Sequence, residues 1–321
     1  MAKLKMINMA EVKAKQVEWL WYPYIPFGKI TIIQGDPGEG KTTMVLQLAS
    51  LLTKGEKLPC DNTEREPINI IYQTAEDGIP DTIKPRLIAA DADCSHIQYI
   101  DESEAQLDML DARIEESIVA WSTRLFILDP LQAFLGASVN MNSANETRAV
   151  MSRLAAVAEK HNCAIVLIGH MNKGSGTKSS YRGLGSIDFQ AAARSVLIVG
   201  RLKDNPEVRV MVQDKSSLAP EGEAIAFELN KETGFAWLGH YDISVDDLLC
   251  GIAREKKSEQ AEKLIRDELS GGKYPQQMLL KKAQAIGISK RILDEAKKSI
   301  GVKSIKEGSQ SMVLVSTGRD D

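Results

Sequence analysis

The feature that most constrains this chain is the stretch GDPGEGKTT at positions 35–43. It fits the pattern G-x-x-x-x-G-K-[ST], in which closely spaced glycines let consecutive backbone N–H groups turn inward around a polyphosphate. The apolar run KITIIQ before it predicts a buried strand, and TTMVLQLASLL after it has the apolar spacing of a helix. A glycine-rich loop between a strand and a helix N-terminus predicts a phosphate-binding loop, formed by Gly35, Asp36, Pro37, Gly38, Glu39, Gly40, Lys41, Thr42 and Thr43.

This loop predicts ATP and Mg²⁺ as cofactors. Lys41 is expected to reach the β- and γ-phosphates, and the Thr42 hydroxyl is expected to ligate Mg²⁺. A carboxylate must complete the metal shell, and Asp129 in LFILDP, at the end of an apolar run, meets that description. A base must polarise the attacking water; Glu76 in YQTAEDG is the first candidate and Asp77 the second, although either could instead cap the following helix.

The bulk composition predicts a soluble protein without a membrane partner. The chain has 321 residues, of which 43% are hydrophobic and 26% charged, and no apolar run approaches the roughly 20 residues that cross a bilayer. The N-terminus has no continuous apolar stretch before a small-residue cleavage site, so we expect no secretion signal and a cytoplasmic location. The four cysteines lack paired spacing, which predicts neither a zinc site nor a disulfide framework: Cys60, Cys94, Cys163 and Cys250.

Strands alternate with helices over most of the chain, which predicts an α/β fold with a mainly parallel twisted sheet, helices on both faces and antiparallel edge strands. We expect a first domain at 1–240, with segment 1–27 packing on it, then a linker at 241–257 and a small C-terminal α+β domain at 258–316. From Arg254 onward there are 15 Lys and Arg against 10 Asp and Glu, whereas the residues before it have 25 against 34. The basic tail favours a polyanionic partner, although charge runs are often only solvated surface.

A second group of polar residues follows the strand IVLIGH. His170 at its end could sense the γ-phosphate or be a satisfied core histidine. The next residues, 172–186, are rich in Gly and Ser, so they favour a mobile loop that contacts a phosphodiester backbone through Lys173, Lys178 and Arg182; the alternative is a plain surface excursion. Arg194, on the predicted helix DFQAAARS, and Lys215, at the end of VRVMVQDK, cannot be placed by spacing alone.

Taken in order, GDPGEGKTT, YQTAEDG, LFILDPLQAF, IVLIGHMNKG, YRGLGSIDFQAAARS and VQDKS resemble the RecA/DnaB-type P-loop ATPases, and among them most of all the RepA-like hexameric replicative helicases of plasmids and phages. The resemblance extends from about Ile25 to His240. It implies Glu76 as the catalytic base, Asp129 as the Mg²⁺-side carboxylate, and His170 as a γ-phosphate or DNA-coupled sensor. It further implies Arg194 as a finger acting on the neighbouring subunit and Lys215 as a supporting cation. It also places the loops at 172–188 and 136–145 on a channel for single-stranded DNA.

The tail from Ser258 resembles the winged helix-turn-helix units attached to phage and plasmid primase-helicase chains. Its third helix, predicted at 289–300, would enter a groove of DNA with four cations, Lys290, Arg291, Lys297 and Lys298. Asp294 and Glu295 interrupt that basic surface, so a winged helix used only for protein contacts is the alternative.

Together these patterns predict an ATP-dependent DNA helicase or translocase that works as a homo-oligomeric ring, most simply a hexamer, in replication of a plasmid, phage or mobile element. Its expected partners are single-stranded DNA and, through the tail, a primase or origin DNA. Two alternatives from other classes stay open. One is a RecA-like regulatory ATPase that moves no DNA, and the other is a DNA-binding regulator that the ATPase only gates.

Overall fold

The computed structural model describes residues 4–136, 143–171, 187–250, 257–269, 272–285, 288–307 and 310–315. The chain divides into two compact units, Met1–Ile252 and Ala253–Asp321. Among the described helices, none combines the length and the apolar character that a bilayer crossing requires.

The first unit is built on one nine-stranded sheet and a two-stranded ribbon. Its strands are β1 (Trp19–Trp21), β2 (Ile25–Pro26), β3 (Ile30–Gly35), β4 (Ile70–Thr74), β5 (Ile97–Gln98), β6 (Leu125–Asp129), β7 (Ala164–His170), β8 (Ser195–Arg201), β9 (Val208–Ser216), β10 (Ala224–Asn230) and β11 (Gly234–Tyr241). In the large sheet the order is β11-β10-β9-β8-β3-β7-β6-β4-β5. The six strands from β8 to β5 are parallel, whereas β9, β10 and β11 add an antiparallel extension, as the alternating pattern predicts.

Helices cover both faces of this sheet. They are α1 (Lys41–Thr53), α2 (Lys84–Ala89), α3 (Ala112–Ala120), α4 (Ala144–His161), α5 (Ile187–Ala192) and α6 (Val245–Cys250). One apolar cluster joins α1 and α2 to one face, and a second joins α3, α4 and α5 to the other. The strands buried on both sides are almost continuously apolar, as parallel strands between two helical layers must be. The predicted α/β class with a mainly parallel sheet is therefore confirmed.

The topology brings four polar strand ends to one edge of the sheet. Because β3, β4, β6 and β7 are parallel, their carboxyl ends lie side by side, at Gly35, Thr74, Asp129 and His170. Ligands of open α/β sheets bind in the crevice beyond this edge. The fold therefore places the phosphate-binding loop, Asp129, His170 and the segment with Glu76 around one crevice.

Two parts of the predicted domain layout differ from the structure. Residues 4–17 are exposed, Glu18 accepts a 2.7 Å bond from Asn162 Nδ2, and burial begins with Leu20 and Trp21, in the ribbon. The predicted linker at 241–257 also contains α6, which packs on the antiparallel extension because Leu248 is an apolar anchor and is buried there.

The second unit contains three helices and a small sheet. The helices are α7 (Lys257–Leu269), α8 (Gln276–Ala285) and α9 (Lys290–Ser299), and the strands are β12 (Tyr274–Pro275), β13 (Val302–Glu307) and β14 (Gln310–Val315), in the order β12-β14-β13. Its core joins all three helices to β14 through residues such as Ile265, Leu279, Leu293 and Val313. Three helices followed by a hairpin are the elements that the tail sequence predicts; their assignment as a winged helix-turn-helix remains a prediction.

Candidate nucleotide-binding site

The phosphate-binding loop begins and ends at positions that require glycine. A Cβ on Gly35 would lie 2.2 Å from the carbonyl oxygen of Val199, which is closer than atoms can approach. Gly40 has φ +85°, and a Cβ there would lie 2.6 Å from Leu229 Cδ1. The loop therefore packs closely against β8 and β10, and its last glycine leads directly into the N-terminus of α1, where backbone N–H groups favour an anion.

Lys41, the first residue of α1, lies at the centre of the site. It is 4% exposed, and its Nζ donates hydrogen bonds of 2.9 Å to the carbonyl oxygens of Gly35 and Asp36. Burial lowers the pKa of the ammonium, while the nearby Asp129 carboxylate opposes that shift. The loop's own carbonyls thus hold the charged end of Lys41 inside the cradle, where a β- or γ-phosphate would lie.

Asp129 is held by two hydroxyl groups. Its Oδ2 accepts a 2.7 Å bond from Thr42 Oγ1 and a 2.6 Å bond from Tyr72 Oη. Burial raises the pKa of the Asp129 carboxyl, and the bonds from Tyr72 and Thr42 oppose this by stabilising the ionised form. Burial, together with the negative charge of Asp129, also raises the pKa of Tyr72. The sequence predicts that Thr42 and Asp129 serve the same Mg²⁺, and the structure brings the two side chains into contact, with Tyr72 as an additional partner of Asp129.

The oxygen atoms of Thr42 and Asp129 fit an Mg²⁺ site of the kind that binds phosphates. Mg²⁺ is usually held by one or two protein oxygens, with phosphate and water oxygens completing its shell. In the described ranges, no three His, Cys, Asp or Glu side chains are grouped so that they could hold a metal by themselves. The hydroxyl and carboxylate oxygens meeting beside the loop are the donor types that this mode of binding uses.

His170 lies between Lys41 and Glu76. Lys41 Nζ is 3.4 Å from His170 Nδ1, and His170 Nε2 is 3.6 Å from Glu76 Oε2. An ammonium only donates, so Nδ1 is the acceptor in this contact, and Nε2 is the ring nitrogen that faces Glu76. The side chain of Glu76 is 62% exposed, so its carboxylate faces the open crevice where a water would attack.

Asp77, the second candidate base, has a different partner. Its Oδ2 lies 2.9 Å from Arg86 Nη1 in an ion pair, and its backbone N–H donates to Thr74 Oγ1. The structure thus ties Asp77 to α2 and leaves Glu76 as the carboxylate that contacts the nucleotide-site histidine.

An arginine that no sequence motif singles out contacts the tip of the loop. Arg201, at the end of β8, donates from Nη2 to the Gly38 carbonyl at 2.9 Å and from Nε to Glu39 Oε1 at 3.1 Å. Its only sequence signal is a cation directly after an apolar strand, and the register of β8 beside β3 is needed to show its target. Arg201 therefore holds the tip of the loop in place.

Replacing Arg201 with alanine should weaken nucleotide binding by about twofold to tenfold. The pair is partly exposed and contributes about 1 kcal/mol, and each 1.4 kcal/mol corresponds to a tenfold change in affinity. Titration with a fluorescent ATP analogue measures the effect. Lys203→Ala is the control, because this neighbouring cation bonds to the Cys250 carbonyl instead of the loop. Equal affinities for Arg201→Ala and the wild type would show that the contact does not order the loop.

Arg194 and Lys215 lie together at the opposite end of the sheet. Arg194 is predicted to lie on the helix DFQAAARS, but in the structure it follows the end of α5. Its backbone N–H donates to the Ile30 carbonyl at the start of β3. Lys215 Nζ donates to three carbonyls at the end of α5, including Gln190 at 2.7 Å. Burial and then the charge of Arg194 lower the pKa of Lys215. Since β3 spans roughly 16 Å, neither cation reaches the phosphate-binding loop of its own chain.

The predicted DNA-contacting residues are only partly within the described ranges. Lys173, Lys178 and Arg182 lie outside them, as do 172–186 and 137–142 of the two predicted channel loops. On α9, Lys290, Arg291 and Lys298 are exposed. Lys297 differs from these three cations, because it is 8% exposed and bonds to Asp294 Oδ1 at 3.2 Å.

Comparison with known proteins places this site in a family. The family described as AAA domain matches residues 3–176. The DNA repair protein RadA of Streptococcus pneumoniae is 24% identical over 178 residues, 54% of this chain and 38% of that protein. The DNA repair protein RadA of Helicobacter pylori is 25% identical over 210 residues, 64% of this chain and 41% of that protein. This chain thus spans about two fifths of the length of these curated relatives.

Among solved structures, the one titled "ATPase Domain of G40P" superposes with a TM-score of 0.51 at 14% identity, covering 66% of this chain and 85% of that chain. At this identity the likeness shows the shared fold, a mainly parallel sheet flanked by helices. The matched residues of the family include the phosphate-binding loop, Glu76, Asp129 and His170.

Proposed function

The chain belongs to the AAA domain family and is a P-loop ATPase of the RecA/DnaB type, and from that premise we propose that it is a ring-forming motor that couples ATP hydrolysis to movement along single-stranded DNA. One observation carries the proposal. His170 contacts both Lys41, in the phosphate-binding loop, and Glu76, while being the last residue of β7. The residues that follow it, 172–186, form the basic glycine- and serine-rich stretch of the sequence.

The contacts of His170 provide a route from the nucleotide to that stretch. A γ-phosphate arriving beside Lys41 competes for the proton donors that now bond to His170 and the loop carbonyls. The His170 carbonyl also accepts a 3.2 Å bond from Gln132 Nε2, in the turn after Asp129. A shift of His170 would therefore be felt by the chain after β7 and by the chain after β6, which are the two predicted channel loops.

ATP and Mg²⁺ fit the groups that surround the crevice. Lys41 and the N-terminus of α1 would bind the β- and γ-phosphates, and Thr42 and Asp129 would hold the metal, which neutralises phosphate charge when it is bound. Glu76 would accept the proton of the attacking water, and His170 would orient that carboxylate through its Nε2 proton.

The neighbouring subunit supplies the remaining charge in this proposal. Arg194 and Lys215 lie at the end of the sheet that is remote from their own phosphate-binding loop, so they can act on phosphate only in another copy. Head-to-tail contacts of this kind close into rings. Arg194 would stabilise charge on the transferring phosphoryl group of the next subunit, and Lys215 would hold the end of α5 beside it.

The second unit would recruit the motor. We assign 258–316 as a winged helix-turn-helix, in which Lys290, Arg291 and Lys298 present cations to a phosphate backbone. The buried Lys297 contributes to the core of this unit instead. Origin DNA or a primase is its proposed partner, which fits replication of a plasmid, phage or mobile element in the cytoplasm. The name of the RadA relatives, DNA repair protein, likewise points to work on DNA.

Single-stranded DNA should raise the rate of ATP hydrolysis by about tenfold if the proposal is correct. The measurement compares steady-state ATP turnover with and without an oligonucleotide, at low salt, because phosphate contacts weaken steeply as salt rises. Size-exclusion chromatography with ATP should show a closed oligomer, and a forked duplex should be unwound. If the protein is instead a regulatory ATPase that moves no DNA, DNA will not change its rate of ATP hydrolysis. If it is a DNA-binding regulator, residues 254–321 will bind one particular duplex sequence.

Mixing two inactive variants tests whether Arg194 acts between subunits. Arg194→Ala keeps its own phosphate-binding loop, and Lys41→Ala keeps Arg194, so neighbours in a mixed ring rebuild one complete site. Turnover of the mixture should exceed the sum of the separate variants several-fold. Arg153→Ala, which changes an exposed arginine of α4, should behave as the wild type. If the mixture is no more active than its components, Arg194 does not act in the ATPase site of the neighbouring subunit.

A further inference from the structure

Tyr72 combines the burial of a core residue with a hydroxyl directed at the metal side of the crevice. It is 2% exposed and belongs to the apolar cluster that joins α1 and α2 to the sheet. A phenylalanine would fill this place in the cluster equally well, so packing does not account for the hydroxyl. The hydroxyl donates its 2.6 Å bond to Asp129 Oδ2, on a carboxylate that is itself buried. The hydroxyl of Tyr72 therefore serves Asp129.

The direction from which Tyr72 reaches Asp129 follows from the pairing of β4 with β6. Tyr72 lies opposite Ile127, and Thr74 lies opposite Asp129. Side chains alternate between the two faces of a strand, so Tyr72, Ile127 and Asp129 share one face. The phenol therefore extends toward the carboxyl end of β6 and meets a residue two positions beyond its own partner. The apolar cluster packs around its ring and so fixes where the hydroxyl lies.

A second hydroxyl bonds to the same oxygen from another element. Thr42, on α1, donates to Asp129 Oδ2 at 2.7 Å, while Tyr72 donates from β4. A hydroxyl that donates still has lone pairs, so this bond leaves Thr42 able to ligate a metal. The terminal torsion of an aspartate is broad, and the carboxylate plane turns easily about it. Two donors from separate elements restrict that rotation and give the Asp129 carboxylate a defined orientation.

The main chain of β4 adds a further contact with Asp129. The Ala75 N–H donates to the Asp129 carbonyl at 3.2 Å, and Glu76 follows Ala75 directly. Strand β4 thus holds Asp129 by its side chain through Tyr72 and by its backbone through Ala75. The metal-side carboxylate and the proposed base are both attached to this strand end, so β4 sets their relative positions.

A fixed carboxylate matters more for Mg²⁺ than for a larger cation. Mg²⁺ requires nearly ideal octahedral geometry with short bonds, whereas Ca²⁺ accepts more oxygens in variable geometry. A carboxylate held in one orientation therefore suits Mg²⁺, and a carboxylate that turns freely suits Ca²⁺ as well. Residues that orient a metal-binding side chain by a hydrogen bond have large effects, and losing one typically lowers metal affinity about 10- to 100-fold.

We propose that Tyr72 is a positioning residue that holds the Asp129 carboxylate in the orientation that Mg²⁺ requires, and that it thereby sets the preference of the ATPase site for Mg²⁺ over Ca²⁺. The inference rests on the metal-side role of Asp129 in the proposed function, and it requires neither a ring nor DNA. Tyr72 acts on the metal through Asp129, from within the core of the first unit.

Metal titrations of Tyr72→Phe test the proposal. The substitution removes the hydroxyl and keeps the ring in its cluster. Mg²⁺ and Ca²⁺ are titrated separately by calorimetry into protein saturated with ADP, and the same titration into ADP alone is subtracted. The affinity for Mg²⁺ should fall about 10- to 100-fold. The affinity for Ca²⁺ should fall less than about threefold, because its coordination tolerates a rotated carboxylate. The affinity for ADP without metal should equal that of the wild type.

Tyr24→Phe is the matched control. Tyr24 is 3% exposed, lies in the same apolar cluster, and donates a 2.6 Å bond to the Glu223 carbonyl, so this variant also loses a buried hydrogen bond. Circular dichroism melts record the stability that each variant loses, and the two metal affinities of Tyr24→Phe should match those of the wild type. If Tyr72→Phe lowers both affinities equally or leaves both unchanged, the proposal is wrong. It is also wrong if Tyr24→Phe changes the ratio of the affinities as much as Tyr72→Phe does.

The outcome of this test is independent of the test of the motor. If the turnover of the wild type ignores DNA, the motor fails, yet the metal preference can still change in Tyr72→Phe. If Tyr72→Phe has the metal affinities of the wild type, this inference fails, yet DNA can still stimulate turnover.

Discussion

Replacing Lys41 with alanine is expected to slow ATP hydrolysis by about 10²- to 10³-fold, the effect of removing a donor aimed at charge that develops in the transition state. The ammonium is buried and already oriented by the Gly35 and Asp36 carbonyls, so little reorganisation is needed when phosphate arrives. The substitution also removes the cation that lies 3.4 Å from His170 Nδ1 and weakens the link between the nucleotide and the chain after β7.

The matched control is Lys54→Ala, at the other end of the same helix. Lys54 pairs with Asp91 and Glu56 on the surface, and such pairs contribute only about 0.2–1 kcal/mol to stability. Both variants should unfold at temperatures close to that of the wild type in a circular dichroism melt. Stopped ATP turnover in Lys41→Ala beside normal turnover in Lys54→Ala would locate the loss in the site. Normal turnover in both would mean that the reacting phosphate lies elsewhere.

Local sequence patterns predict the parts of this structure that are local. The loop from Gly35 to Thr43 is recognisable because its strand, its glycines and its helix are adjacent in sequence, and all three lie where the pattern puts them. Asp129 and His170 are recognisable because each ends an apolar run, and parallel strands bring such ends together. The pairing of Thr42 with Asp129, 87 residues apart, follows from that topology.

Contacts set by register were not predictable in the same way. Tyr72 follows two isoleucines on its strand, and nothing in IIYQT shows that its hydroxyl meets Asp129 at the end of the neighbouring strand. Arg201 reaches Gly38 and Glu39 only because β8 lies beside β3. Both residues act on the site from neighbouring strands, so their roles depend on the order of the strands in the sheet. The sequence predicts the class of fold but does not specify that order.

Two features of the structure differ from the sequence-based expectation for reasons that the sequence does contain. Lys297 follows Ala296 and lies four residues after Leu293, so on a helix it shares their buried face, and its charge is met by Asp294. Residues 4–17 contain apolar side chains, but these follow neither a helical nor a strand period, and a segment without period has no face to pack on its own sheet.

Replacing Glu76 with glutamine should lower ATP turnover by about 10²- to 10⁴-fold while nucleotide affinity stays unchanged, because general bases contribute on that scale and phosphates are bound elsewhere. Glutamine has the same size and keeps an oxygen on the side that faces His170, so the capacity to take a proton from water is what is lost. Turnover and the affinity for a fluorescent ATP analogue are measured on the same preparation.

Asp77→Asn is the informative control, because Asp77 is adjacent in sequence and was the competing candidate. Its carboxylate pairs with Arg86 on α2, an ion pair that is partly exposed, so its loss should change turnover by less than about twofold. The opposite outcome, with Asp77→Asn inactive and Glu76→Gln active, would move the base to Asp77 and leave His170 without a catalytic partner.

Because His170 joins Glu76 to Lys41, an inactive but ATP-binding Glu76→Gln protein should also retain single-stranded DNA tightly in the presence of ATP. Retention that vanishes in the same variant would separate the base from the motor and confine Glu76 to hydrolysis alone.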